Sequence, residues 1–96
     1  MNITKTVNGK DFIVSLEGRL DTTTAPKFEE FIVENILKMD TLTLDCAGLE
    51  YVSSAGLRVL LSAQKRLKNS MKLKNVCELV MEVFEMTGFV DVLVIE

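Results

Sequence analysis

The chain contains no histidine, one proline and two cysteines in 96 residues. Without histidine it cannot build a Ser-His-Asp or Cys-His nucleophile system, nor a His-ligated metal site. Cys46 and Cys77 follow no metal-like spacing and stand among apolar neighbours, so they read as buried reduced thiols, which suits a cytoplasmic protein. No segment approaches the ~20 consecutive apolar residues that a membrane span requires, and the first residues alternate rather than run apolar. A soluble, unsecreted protein is expected. Nucleotide cofactors also lack a cradle: there is no G-x-x-x-x-G-K-[ST] loop, and Gly48 and Gly56 are too far apart for G-x-G-x-x-G. Ser54-Ala55-Gly56 follows a strand, as a nucleophile elbow does, but the G-x-S-x-G pattern and a base are missing. No catalytic residue, cofactor or metal ligand is assigned on this reading.

With 48% hydrophobic and 26% charged residues, the chain suits one compact core, a single domain over residues 1–96. The net charge of -3 disfavours a nucleic-acid surface. The one basic run, Lys65, Arg66, Lys68, Lys72 and Lys74, has no interleaved aromatic residues for base stacking and reads as a solvated helix end with a turn.

Residues 3–7 and 12–16 alternate around Asn8-Gly9-Lys10, a strong hairpin signal. The threonines Thr22, Thr23 and Thr24 offer a cap, Pro26 suits a first turn, and Phe28, Phe31, Ile32 and Ile36 recur at helical spacing, giving a helix that ends near Met39. A strand over residues 41–45 then passes through a short polar loop into a second helix with Leu57, Leu60, Leu61 and Leu67 on one face. A short alternating strand over residues 71–76, a third helix over 78–86 and a last strand over 90–95 complete the pattern. In the third helix Val80, Val83 and Phe84 face inward, and Gly88 is its stop. Strands alternating with helices imply an α/β domain: a mixed, mostly parallel sheet of about five strands with an N-terminal hairpin and three main helices.

Two serines, Ser53 and Ser54, fall at the start of the second helix, where unpaired N–H groups and partial positive charge accept a capping hydroxyl, an anion or a phosphate. One serine suffices as the cap, and the spacing leaves open which; the other presents its hydroxyl to a partner. Asp21 and Asp45 are expected where loops leave the same end of the sheet, near this turn. Without a third ligand they read as turn-ordering carboxylates that bond their own backbone.

Three segments together resemble the STAS domains of bacterial anti-sigma factor antagonists. They are Gly18-Arg19-Leu20-Asp21 with Thr24-Ala25, then Asp45-x-x-Gly48 with Val52-Ser53-Ser54-Ala55-Gly56-Leu57-Arg58, and Val83-Phe84-Glu85-Met86-Thr87-Gly88-Phe89. They stand in the family's order and span most of the chain. The resemblance implies a non-enzymatic partner-switching protein. In its unphosphorylated form it would bind a serine kinase that serves as anti-sigma factor. That kinase would phosphorylate it and so release it, and a metal-dependent phosphatase would reverse the step. The acceptor falls on Ser54, with Ser53 as the alternative, and the partner surface on Asp21, Thr22, Ser53, Ser54, Ala55, Gly56 and Arg58, in a monomer or weak dimer. A second reading keeps the same fold as an unphosphorylated interaction subunit of a transporter or signalling assembly. The chain departs from the family in three places. Ser53 and Ala55 flank the acceptor where Asp and Ser or Thr are common. Cys46-Ala47 replaces a usual Leu-Ser pair. The connection Asn69-Ser70-Met71-Lys72 is short, which is expected to trim the following strand.

Overall fold

The structure, a computed structural model, describes residues 1–68 and 70–96. Its first two strands, β1 (Asn2–Asn8) and β2 (Asp11–Leu20), form the expected antiparallel hairpin, with Asn8 opposite Asp11 across the two-residue loop Gly9-Lys10. Gly9 adopts φ +66°, the positive value that a tight hairpin needs at its first loop position. Next comes α1 (Ala25–Asn35), prolonged by a 3-10 turn over Ile36–Lys38 that brings the helical stretch to the expected end at Met39. Then follow β3 (Thr41–Val52), α2 (Ser54–Arg66), β4 (Met71–Lys74) and α3 (Glu78–Thr87). Gly88 ends α3 at φ +79°, in the left-handed conformation expected of a helix stop.

The sheet order is β1-β2-β3-β4, with β2, β3 and β4 parallel and β1 antiparallel at the edge. Sequential parallel strands joined by right-handed crossovers put α1 and α2 on one face. The burial of β2 agrees: Phe12, Val14, Leu16 and Leu20 are buried, whereas Ile13, Glu17 and Arg19 are exposed. The core under the helices gathers Phe28 and Ile32 from α1, Leu57, Leu60 and Ala63 from α2 with Leu67 at its C-cap, and Val80 and Phe84 from α3. Leu61 and Val83, both expected inward, are only half-buried.

Two expectations are corrected. The loop placed after Asp45 is strand: β3 continues to Val52 and absorbs one extra residue between Asp45 and Gly48 and another between Leu49 and Tyr51. Each bulge shifts the alternation, so the buried positions run Leu42, Leu44, Cys46, Leu49 and Val52, a spacing that no longer reads as a strand. The final strand is also reduced. Phe89–Asp91 is a 3-10 turn, and beyond it Ile95 makes a single parallel bridge to Leu73. Leu73 donates its N–H to Val94 O (2.9 Å) and accepts the Glu96 N–H (2.9 Å), so the tail covers the β4 edge at one point. Four paired strands therefore stand where about five were expected. The short connection expected to trim β4 begins at Asn69, which lies outside the described residues; β4 itself is four residues long.

Candidate functional site

The register places the site. Leu20, the last residue of β2, pairs with Val52, the last residue of β3, so the chain leaves both strands side by side. The Ser53 N–H then donates to Leu20 O at 2.9 Å, joining the turn that begins at Asp21 to the turn that begins α2. Gly56 lets α2 sit this close. A Cβ there would fall 2.7 Å from Leu20 O and 2.8 Å from Leu20 Cγ, well inside van der Waals contact.

Which serine caps the helix is settled by the backbone. Ser53 is extended (φ -91°, ψ 177°), as an N-cap residue is, and its Oγ accepts the Gly56 N–H at 3.3 Å. Ser53 O accepts the Leu57 N–H at 2.9 Å, the first bond of the helix. Ser54 is the first helical residue, exposed, and its hydroxyl makes no hydrogen bond among the described residues. Arg58 lies four residues on and exposed, on the same helix face as Ser54. Ala55 is half-buried and Gly56 buried.

The Asp21 turn is closed on itself. Asp21 Oδ1 accepts the Thr23 hydroxyl (2.8 Å) and the N–H groups of Thr23 (3.0 Å) and Thr24 (3.2 Å). The Thr24 hydroxyl donates to Arg19 O (2.7 Å) and accepts the Asp21 N–H (2.8 Å), so Thr24 occupies the α1 cap position without bonding the helix through its side chain. The Thr23 hydroxyl, seconded by the backbone N–H groups of Thr23 and Thr24, outweighs desolvation and holds the Asp21 carboxyl below the usual carboxylate range. Asp21 thus presents an ionised carboxylate beside Ser53. Thr22, at the tip, is exposed.

Asp45 does not join them. It stands in mid-strand opposite Ser15 and Lys74, eight residues before Ser53 and on the order of 20 Å away along β3. Its self-bonding role is as expected: Oδ1 accepts the Ala47 N–H (3.1 Å), bridging the first bulge, and also the Asn75 Nδ2 (3.0 Å). The Asn75 amide first, then the Ala47 N–H, keep its carboxyl below the usual range. Cys46, next to it, is buried, and its thiol is pushed up to about 12 by desolvation and then by the Asp45 charge. Both cysteines are unbridged, though Cys77 is only half-buried, its Sγ donating to Leu49 O at 3.4 Å.

Two residues at the site escaped sequence reasoning. The Arg19 guanidinium lies 4.2 Å from the centre of the Tyr51 ring, and its Nε is 3.7 Å from Asp21 Oδ2. The two face each other because the second bulge pairs Arg19 with Tyr51, and no local pattern reveals that. Among the described residues, no group of three or more His, Cys, Asp or Glu gathers to hold a metal, and no helix is long and apolar enough to cross a membrane.

The STAS domain model matches residues 2–96, and the chain belongs to the STAS domain family. It is 36% identical over 84 residues to BtrV of Bordetella bronchiseptica, a protein named as an anti-sigma factor antagonist; the match covers 83% of this chain and 72% of that one. It is 29% identical over 96 residues to the anti-sigma-B factor antagonist of Bacillus subtilis, covering 97% of this chain and 88% of its relative. The fold is shared with Bacillus SpoIIAA, an anti-sigma factor antagonist solved in two forms. The unphosphorylated form superposes with a TM-score of 0.83 at 19% identity, covering 99% of this chain and 88% of the other. The phosphorylated form gives 0.75 at 18%, covering 99% and 91%.

Proposed function

We propose that this chain is an anti-sigma factor antagonist that works by partner switching, with Ser54 as its phosphoacceptor. The observation that carries this reading is the division of labour between the two serines: Ser53 holds the cap, while Ser54 stands exposed one residue later with no hydrogen bond from its hydroxyl among the described residues. Unphosphorylated, the surface formed by Asp21, Thr22, Ser53, Ser54, Ala55, Gly56 and Arg58 binds a serine kinase acting as anti-sigma factor, which frees the sigma factor. The chain itself is a binding protein rather than an enzyme, acting in the cytoplasm.

Phosphorylation of Ser54 adds about -1.5 to -2 charges at the first residue of a helix, where unpaired N–H groups and the helix dipole tolerate an anion. Arg58, one turn along on the same face, adds a cation within i+4 range. The fold therefore survives the modification and the surface changes: a dianion beside the ionised Asp21 repels a closely packed or acidic partner. A metal-dependent phosphatase resets the switch. The names of the relatives and the two solved forms of SpoIIAA support the reading.

The test is incubation with the genomic-neighbour serine kinase and ATP, followed by intact mass and a binding assay. Gain of one phosphate with loss of binding supports the switch. Binding without any phosphate gain would instead mark an unphosphorylated interaction subunit. A Ser54→Asp variant that binds the kinase as tightly as wild type would sink the charge argument.

A further inference from the structure

The outer surface of α3 takes no part in the site just described, yet it is strongly patterned. Leu79 (57% exposed), half-buried Val83 and Met86 (87% exposed) fall at i, i+4 and i+7 and share one face. Glu78, Glu82 and Glu85 repeat the same spacing one residue earlier, so an acidic stripe adjoins the apolar one. Val80 and Phe84 fill the core side and Val83 packs partly against it, so the helix is anchored without Leu79 and Met86, whose exposed side chains lie outside the core. From Asn75 to Glu96 there is no lysine or arginine, so nothing in this segment neutralises the stripe.

The position matters as much as the pattern. Cys77, the residue before α3, bonds Leu49 O, so α3 starts alongside the last residues of β3, at the end of the sheet that carries Ser53 and Ser54. A partner seated on Ser54 can extend onto α3.

We propose that this face of α3 is a second docking surface, occupied by a partner helix whose apolar stripe covers Leu79, Val83 and Met86 and whose adjoining basic stripe meets Glu78, Glu82 and Glu85. The identity of that partner, the anti-sigma kinase, rests on the partner-switching reading; the chemistry of the helix rests on α3 alone. Charge argues against the competing helical occupants. Among its long helical stretches, a second copy of this chain offers Val33 and Leu37 as its other exposed apolar pair, in company with Glu29, Glu30 and Glu34, which would set acid against acid; its remaining exposed apolar residues, Val7, Ile13, Val90, Val92 and Val94, lie outside those stretches and form no helical stripe. Its basic helix end, Lys65, Arg66 and Lys68, surrounds a buried Leu67 and has no apolar stripe to offer. An anionic lipid surface is repelled by the same glutamates.

The experiment titrates the genomic-neighbour kinase into the full chain by calorimetry, in wild type, L79A/M86A, E82K/E85K and the α1 control E29K/E30K. All six positions are exposed, so folding is retained, and circular dichroism verifies this. Both α3 variants are expected to weaken binding by about tenfold or more, and the control to leave it unchanged. Wild-type affinity should fall as NaCl rises from about 0.05 M to about 0.5 M, and E82K/E85K should lose that dependence. Wild-type affinity in both α3 variants overturns the docking surface alone, leaving the switch standing. A loss in L79A/M86A without one in E82K/E85K overturns the basic character of the partner helix. A wild-type dimer in sedimentation that L79A/M86A disperses assigns the face to a second copy and overturns the proposal. Absence of kinase binding by wild type overturns the partner-switching reading and this proposal with it.

Discussion

The turns after β2 and β3 leave neighbouring, paired strand ends and each opens a helix, yet they spend their hydroxyl groups differently. In the first, Thr23 and Thr24 both bond within the turn, to Asp21 and to Arg19 O, and Asp21 Oδ1 is committed to its own loop. In the second, one serine holds the cap and the hydroxyl of the other makes no hydrogen bond among the described residues. One turn is a rigid platform that fixes a charge; the other carries a group with no structural duty. A modifiable hydroxyl must be of the second kind, because modifying a group the fold depends on would unfold the site it is meant to switch.

Substitutions can break this contrast, the severest at the point where the turns meet. Gly56→Val should cost about 3 kcal/mol or more in denaturant unfolding, because its Cβ alone would collide with Leu20 O at 2.7 Å, and both turns should loosen together. Gly56→Ala gains about 1 kcal/mol in helix propensity, yet the same collision makes it destabilising, a net sign that chemical unfolding reads directly. Ser53→Ala removes the cap and should cost about 1 kcal/mol, whereas Ser54→Ala should stay within about 0.5 kcal/mol of wild type. Equal costs for the two serines would erase the distinction between them.

Smaller effects sharpen the account through pH. Asp21 has a folded pKa below its unfolded value, so its turn contributes stability that is fully present above about pH 4 and fades as pH falls through the folded value. Asp21→Asn should therefore flatten the acid limb of the stability curve below about pH 4, followed by thermal melts. Smallest of all, the buried Cys46 thiol, raised to about 12, should resist alkylation in the native state, while half-buried Cys77 reacts first, as peptide mapping after brief labelling would show.

Much of this was legible in the chain. Asn8-Gly9, the Phe28-Ile32, Leu57-Leu60 and Val80-Phe84 spacings and Gly88 are local signals that local physics obeys, and they mark the hairpin, the three helices and the helix stop. The serine pair was visible too, but its division of roles depends on the φ and ψ of Ser53, which no residue pattern specifies. What failed was whatever depends on pairing across strands. The bulges of β3 break its period of two, so Cys46 to Val52 reads as loop, Asp45 reads as the end of a strand whose middle it occupies, and the facing of Arg19 and Tyr51 is invisible. The apolar run Val90–Ile95 looked like strand, but the 3-10 turn at Phe89–Asp91 uses up its first residues, and β4, four residues long, takes up only Ile95.

With Ser53 committed to the cap, Ser54 is the hydroxyl left for modification. Intact-mass spectrometry of wild type, Ser53→Ala and Ser54→Ala after treatment with the genomic-neighbour kinase and ATP tests this assignment. One phosphate is expected on wild type, one on Ser53→Ala and none on Ser54→Ala. A phosphate that persists in Ser54→Ala and disappears in Ser53→Ala would contradict it, because the capping hydroxyl would then be the one that is switched.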